Sequence, residues 1–338
     1  MKILVTGGLG FIGSHTVVEL QNSGYEVVVI DDCSNSFENV LEGIYAITGK
    51  RPVFEKIDLR EKEKVSDFFK RHGDIKGTIH FAASKAVGES VEKPLLYYRN
   101  NVHGLINLLE AMNAHDITNL IFSSSCTVYG QAEELPISEE TPLKKAESPY
   151  GNTKKISEEI IEDTVNATGL EAISLRYFNP IGAHASVEIG EIPLGIPQNL
   201  VPFVTQTAAG IREKLFVFGG DYPTHDGTAI RDYIHVVDLA KAHVLALNRL
   251  LEKKQLKSFE VFNLGTGKGS SVLEVIKTFE SVSGVQINYD IVGRREGDVV
   301  AMYSDTTKAQ KELGWKANLT LGAALDSAWK WEQKLRKV

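Results

Sequence analysis

A β-rich run, Lys2-Ile3-Leu4-Val5-Thr6, breaks into Gly7-Gly8-Leu9-Gly10-Phe11-Ile12-Gly13, after which Ile12, Val17 and Leu20 recur at roughly helical spacing as far as Gly24. A strand, a G-x-x-G-x-x-G turn and a helix make a phosphate-binding unit. The glycines let the backbone approach a pyrophosphate, and the helix N-terminus offers amide donors. The next strand, Glu26 to Ile30, delivers Asp31, eighteen residues beyond Gly13. A carboxylate there is placed for both hydroxyls of an adenosine ribose and would repel a 2′-phosphate. Asp32, with no adjacent arginine, strengthens that repulsion, so the pattern favours NAD over NADP. The competing reading, a solvated aspartate in a loop, has less support in this strand-turn-helix-strand context.

The alternation continues. Val53 to Ile57 reads as a strand ending in Asp58, Val65, Phe68 and Phe69 mark a helix, and Thr78 to Phe81 is a strand running into Ala82-Ala83-Ser84-Lys85. Val102, Leu105, Ile106 and Leu109 mark a helix, Leu120 to Phe122 a strand ending in Ser123-Ser124-Ser125, Tyr150 to Ala167 a helix, and Glu171 to Tyr177 a sixth strand. Such alternation predicts an α/β fold with a doubly wound parallel sheet, its ligands at the carboxyl ends of the strands. The pattern loosens after Phe178-Asn179-Pro180, which places a boundary there: a dinucleotide domain over 1–179 and a smaller, mixed α/β substrate domain over 180–338. Segments around 233–266 are left open to return to the first domain. In the second part, Leu215 to Phe218 and Glu260 to Leu264 read as strands, and Val237 to Leu251, Val272 to Ser283 and Ala323 to Leu335 as helices.

A net charge of −7 without a long basic block argues against a nucleic-acid partner, and no run approaches the ~18 apolar residues of a membrane span. The two cysteines, Cys33 and Cys126, are too few for a disulfide framework and lack metal-site spacing. A reducing compartment, the cytoplasm, and a metal-free site are expected.

Ser148-Pro149-Tyr150-Gly151-Asn152-Thr153-Lys154-Lys155 carries the chemistry. Tyr150 and Lys154 lie four apart, on one face of a helix that Pro149 would open. An ammonium and a helix N-terminus both favour a phenolate, so the pair is a candidate proton-transfer device. With 11 Tyr in the chain, chance supplies about one such pair, so its context decides. The pair opens the helix that follows a strand ending in Ser125. Arg231 and Arg294-Arg295 suit an anionic substrate such as a diphosphate, and surface ion pairing is their competing reading.

Several strings resemble the extended short-chain dehydrogenase/reductases, and within them the enzymes that epimerise UDP-hexoses. These are Thr6 to His15, His80 to Ser90, Ser123 to Gly130, Arg176 to His184, Arg231 to His235, and Arg294-Arg295-Glu296-Gly297-Asp298. The likeness runs from Met1 to about Trp331 and implies a Rossmann-like sheet with NAD as a retained cofactor. By resemblance, Ser125, Tyr150 and Lys154 are the catalytic trio. The cofactor is expected on Gly7, Gly10, Phe11, Ile12, Gly13, Asp31, Asp32, Asn35, Asp58, Leu59, Phe81, Ala82, Lys85 and Asn100, with the trio and Phe178 at the nicotinamide. The UDP-sugar is expected on Ser125, Tyr150, Asn179, Asn199, Leu200, Phe216, Phe218, Arg231, Arg295, Asp298 and Met302. The implied activity is reversible 4-epimerisation of UDP-glucose and UDP-galactose through a 4-keto sugar, an isomerase step of galactose metabolism.

A nucleotide-sugar 4,6-dehydratase or decarboxylase shares the fold and the opening oxidation. Dehydratases that resemble the chain carry an Asp-Glu pair directly after the serine or threonine; here Cys126 and Thr127 stand there and cannot do that work. A non-catalytic dinucleotide sensor would have no need of the trio, and a dehydrogenase releasing NADH would accumulate reduced cofactor. Met302 lies at the family's gate beside the C2 substituent, where tyrosine restricts and cysteine or serine admits N-acetyl sugars. Large but flexible, it implies a preference for UDP-glucose and UDP-galactose and weak N-acetyl activity. The resemblance also implies a homodimer, a four-helix bundle of the Val102 to Leu109 and Tyr150 to Ala167 helices, although the same apolar faces could simply cover the sheet.

Overall fold

The computed structural model describes residues 1–295 and 298–336; Glu296 and Gly297 of the Arg294-to-Asp298 string lie outside the described residues. Seven parallel strands form the main sheet: Lys2–Thr6, Glu26–Asp31, Val53–Lys56, Ile75–His80, Asn119–Ser123, Glu171–Tyr177 and Phe259–Leu264. Counted along the chain, they stand in the order 3-2-1-4-5-6-7. The first strand therefore pairs with both the second and the fourth, and the winding reverses between them. That reversal opens a crevice at the carboxyl ends of the strands.

Both sheet faces are covered, which is why the strands are apolar runs rather than alternating ones. Ile3, Val5 and Val29 pack with Val17, Val18 and Leu20 of the Phe11–Asn22 helix on one side. Leu4, Val28 and Ile30 pack with Phe68, Leu105, Leu108 and Ile161 on the other. Each such side chain contributes roughly 1.5–3 kcal/mol on full burial. The apolar faces of the Gly104–Ala114 and Pro149–Ala167 helices thus cover the sheet. Leu95, at 75% exposure, and Ile106 stay exposed outside it.

The chain returns to this sheet from its C-terminal half. The Val236–Leu251 helix lies against Phe11–Asn22 through Leu239, Ala242 and Leu247, and Phe259–Leu264 adds the seventh strand beside Glu171–Tyr177. The remaining segments build a smaller lobe. Leu215–Phe218 pairs with Tyr289–Val292, and Ile230–Arg231 lies between Ser270–Ser271 and Ala301–Met302. Val204, Val217, Ile276, Phe279, Leu325 and Trp329 form its core.

Two features depart from the pattern reading. Leu200–Ala208 is a helix that begins where the irregular stretch after Phe178-Asn179-Pro180, read as running through Pro202, ends; Pro202 falls in its first turn, where no amide is needed for the ladder. The helix expected around Val102 is a succession: Val87–Glu92, Pro94–Tyr97, a π turn over Tyr98–His103, then Gly104–Ala114. The wider π turn takes Val102 out of helical register and turns Asn101 inward.

Candidate active site

At the switch point, Gly7 has φ +69°, and its N–H donates to the Ile30 carbonyl at 2.7 Å. A Cβ there would lie 2.7 Å from the Ala82 nitrogen, while one at Gly13 would collide with the Gly7 carbonyl. Gly10 differs: its φ is ordinary, and a Cβ would meet only the Gly7 oxygen, at 3.3 Å. Gly10 is also the N-cap of the Phe11–Asn22 helix, and no side chain caps the first turn. An uncapped helix start over an open glycine edge fits a pyrophosphate.

Asp31 ends the second strand, buried. Its Oδ2 accepts the Leu9 N–H at 3.0 Å, and its Oδ1 accepts the Cys33 N–H at 2.9 Å and the Ser36 hydroxyl at 2.8 Å. Burial raises its carboxyl above the usual range, against those three hydrogen bonds. Asp32 accepts the Ser34 N–H and hydroxyl, and Asn35 is exposed beside them. Asp58, after the third strand, is gripped by Arg60, whose Nε reaches both its oxygens at 2.9 Å; that guanidinium lowers the carboxyl's pKa. Arg60 also feels the Asp32 charge. Asp32 thus has an arginine nearby in space that the local sequence does not reveal, although its fork is committed to Asp58. Leu59 is buried, and its carbonyl accepts the Asn107 amide at 2.8 Å.

Phe81 follows the fourth strand, with its N–H on the Thr6 carbonyl at 3.0 Å, and Ala82 packs under the glycine turn. Asn100 donates to the Ser84 hydroxyl at 2.8 Å. Asn101, which the sequence reading passed over, accepts the Ser84 N–H and donates to the Ser84 carbonyl and to Thr153 Oγ1, the last at 3.0 Å. It ties this loop to the helix bearing Tyr150 and Lys154. Its buried place comes from the π turn, which has no sequence signal of its own. Lys85 crosses to the smaller lobe, where Glu191 Oε1 accepts both its ammonium at 3.3 Å and the Asn199 amide at 3.1 Å.

The Pro149–Ala167 helix begins at Ser148, whose hydroxyl accepts the Gly151 N–H at 3.2 Å, with Pro149 in the first turn. Tyr150 and Lys154 share its buried face. Lys154 Nζ donates to the Ser123 carbonyl at 2.7 Å and lies 4.9 Å from the centroid of the Phe122 ring. Burial lowers the lysine to about 8, with Glu158 opposing. The expectation that lysine and helix dipole would favour a phenolate needs correction here. Burial pushes the Tyr150 phenol well above its ordinary value, Tyr177 adds to the rise, and hydrogen bonding by Ser125 opposes it. Desolvation disfavours both charged forms. Ser125 is buried at the end of the fifth strand, and its Oγ accepts the Thr127 N–H at 3.3 Å.

Phe178, Cys126 and Met302 are buried together in one apolar cluster with Val128 and Ile137. Cys126 is held neutral, pushed up to about 12 by burial. Asn179 begins the short strand that pairs with Tyr233–His235. Leu200 is partly buried in the small-lobe core, whereas Phe216 and Phe218 point outward from the strand whose Leu215 and Val217 point inward. Arg231 and Asp298, expected on phosphate and ribose respectively, form an ion pair with each other. Arg294 turns away to Asp221, at 2.8 Å, and lies over the Tyr222 ring. Arg295 is exposed, with a guanidinium nitrogen 3.7 Å from where a Gly88 side chain would begin, across from the fourth-strand loop. Among the described residues no cluster of His, Cys, Asp or Glu is arranged to hold a metal, and no helix is long and apolar enough to cross a membrane.

A 3-2-1-4-5-6-7 sheet with a glycine turn, a carboxylate at the end of the second strand and a Tyr-x-x-x-Lys helix defines an NAD-dependent extended short-chain dehydrogenase/reductase. The family model described as GDP-mannose 4,6 dehydratase matches residues 4–327. Mouse (Mus musculus) UDP-glucose 4-epimerase is 50% identical over 340 residues, 98% of this chain and 97% of its own. The enzyme of that name from Stenotrophomonas maltophila, solved with bound NAD and formylated UDP-arabinopyranose, has a TM-score of 0.96 and 46% identity over 100% of this chain and 99% of its own. The Bifidobacterium longum enzyme, solved with NAD+ and UDP, has a TM-score of 0.94 and 47% identity over 99% and 98%. The chain belongs to the UDP-glucose 4-epimerase family of extended short-chain dehydrogenase/reductases. The dehydratase reading is not favoured: Cys126 is buried and neutral, and Thr127 offers no carboxylate.

Proposed function

We propose that this chain interconverts UDP-glucose and UDP-galactose with retained NAD, as a step of galactose metabolism. What supports the reading is Tyr150 and Lys154 on the buried face of one helix, with Lys154 on the Ser123 carbonyl and Ser125 hydrogen-bonding Tyr150, and no added acid-base pair after the serine. When bound, NAD supplies a hydride acceptor and donor and, when oxidised, a positive charge. The Gly7–Gly13 turn and the first helix amides hold its pyrophosphate, Asp31 its adenosine ribose, and Asp58, Lys85, Asn100 and Phe178 its remaining surface.

Tyr150 would take the proton of the sugar 4-hydroxyl, directly or through Ser125, as hydride leaves C4, and would return that proton to the same oxygen when, after the keto sugar has turned, hydride comes back to the opposite face of C4. Burial favours the neutral phenol, so Tyr150 must be in its phenolate form before it can take the proton, and positive charge in the pocket is what favours that form. Lys154 is one source, and its depressed pKa, about 8, leaves it mostly protonated at pH 7. On the substrate side Arg231, Arg295 and Asn199 hold the diphosphate, Phe218 the uridine and Asp298 its ribose. This asks the Arg231–Asp298 pair to open as the nucleotide enters. Asn179 meets the sugar. Firm diphosphate contacts with looser sugar contacts permit the turn.

The decisive assay is incubation with UDP-glucose and excess NAD. Epimerisation without growth of reduced-nicotinamide absorbance is expected, and stoichiometric NADH release would overturn the reading. Met302, buried against Phe178 and Cys126, narrows the space beside the C2 substituent. Met302→Ser is expected to raise UDP-N-acetylgalactosamine turnover relative to UDP-galactose by roughly tenfold, the scale of one to a few methylenes in a pocket; an unchanged ratio contradicts the gate. The two cysteines, both unpaired, suit a reducing cytoplasm. The proposed homodimer is a bundle of the Val102 to Leu109 and Tyr150 to Ala167 helices of each subunit, and Ile106 on the first of them is exposed in the single chain; gel filtration showing a monomer at micromolar concentration would remove it.

A further inference from the structure

Apart from Glu158, the titratable groups acting on Tyr150 and Lys154 carry no charge at neutral pH. His80, stacked on Phe122 and 2.7 Å from the Thr6 hydroxyl, is pushed down to about 3 by burial. Tyr177 and Cys126 are each pushed up to about 12, and Tyr150 and Tyr97 are raised as well, all chiefly by burial. A buried ammonium with no anion nearby gives up its proton. One anion is available. Glu158 lies one helical turn beyond Lys154 on the same buried face, the i, i+4 spacing that stacks one side chain beside the other.

The Glu158 carboxylate is firmly fixed. Arg176 reaches it from the sixth strand, Nε donating at 3.0 and 3.2 Å and Nη2 at 2.6 Å, and the Ser174 hydroxyl donates at 2.6 Å. The guanidinium is fixed in turn by the Tyr129 hydroxyl at 3.0 Å, and Tyr129 donates to Asn263 at 2.7 Å. Stability does not require such an arrangement, because buried ion pairs are often replaceable by apolar groups without loss. Its place one turn behind the catalytic ammonium gives it a purpose.

We propose that Glu158, locked by Arg176 and Ser174, is a positioning residue that acts through Lys154, keeping it protonated in the site and so setting the pH range in which Tyr150 and Lys154 work together. The role rests on Lys154 serving the reaction as described above. Arg176 orients the carboxylate, and the charge that acts on Lys154 is that of Glu158.

The test follows the Lys154 titration directly, by its 13Cε chemical shift, assigned through its absence in Lys154→Arg, together with the pH profile of kcat for UDP-galactose. The proteins are the wild type, Ser174→Ala, Glu158→Gln and the double variant Glu158→Gln/Arg176→Met. The double variant leaves no unpaired guanidinium and guards against misfolding. Both Glu158→Gln proteins should titrate Lys154 about one pH unit lower, with the alkaline limb of kcat moving by the same amount. Ser174→Ala, which keeps the charge, should leave both in place. A folded double variant with wild-type NAD content and an unmoved Lys154 midpoint overturns the proposal. A midpoint that moves while the kcat limb stays overturns instead the reading of Lys154 on which it rests.

Discussion

Tyr150 holds a proton more tightly than a free tyrosine, and the site must draw it off when substrate is present. Removing only the phenolic oxygen isolates that role. Tyr150→Phe should keep its NAD and its fold while kcat falls by about 10²–10⁴, the range for loss of a positioned acid-base group; activity within tenfold of wild type would show that another group moves the proton. At this scale the sequence proposes which residues act and says less about their states. Tyr150, Lys154 and Ser125 could be named from spacing and resemblance, whereas the sign of the tyrosine's shift depends on how completely the pocket excludes water, a property of the packed structure. In the same way, Glu191 on Lys85 and Asp298 on Arg231 are pairings across the fold that no local string announces.

The glycine turn is the element on which the cofactor site stands, and its glycines do different work. Gly13→Ala would drive a methyl into the Gly7 carbonyl, so loss of both thermal stability and bound NAD is expected. Gly10→Ala brings its methyl to 3.3 Å from the Gly7 carbonyl oxygen, which must give slightly, and costs about 1 kcal/mol at a helix N-cap, yet it also places a methyl on the edge offered to the pyrophosphate. It should therefore fold nearly as well as the wild type while carrying much less NAD, as measured by absorbance after denaturation. Full NAD occupancy in Gly10→Ala would show that the dinucleotide does not lie there. The turn, the strand carboxyl ends and the Pro149 helix start were legible because each depends on a few neighbouring residues: glycines, an apolar run, a serine before a proline. The π turn at Tyr98–His103 and the Leu200–Ala208 helix were not. The first is an insertion in helical register and the second begins through a proline, and both are stabilised by packing rather than by local preference.

Across the whole molecule, burial of neutral histidines sets the acid limit. His15 and His80 are pushed down to about 3 and His235 and His243 to about 4, burial being the first cause in each, whereas an unfolded chain titrates near 6.5. Between those values the unfolded chain holds protons that the folded chain refuses. Stability is therefore full above about pH 6.5 and falls as pH drops through the window, by up to about 1.4 kcal/mol per pH unit for each histidine. Urea midpoints at pH 7.5, 6 and 5 should decline steeply, and equal midpoints would contradict it. The central claim concerns a complete cycle on one molecule: oxidation, turning of the sugar and reduction with no net oxidant. Its most direct test offers UDP-galactose to the purified protein with no cofactor added and follows UDP-glucose. The account predicts many turnovers per subunit at constant total nicotinamide; absence of product until NAD is supplied in amounts matching the substrate, with NADH accumulating, would contradict it.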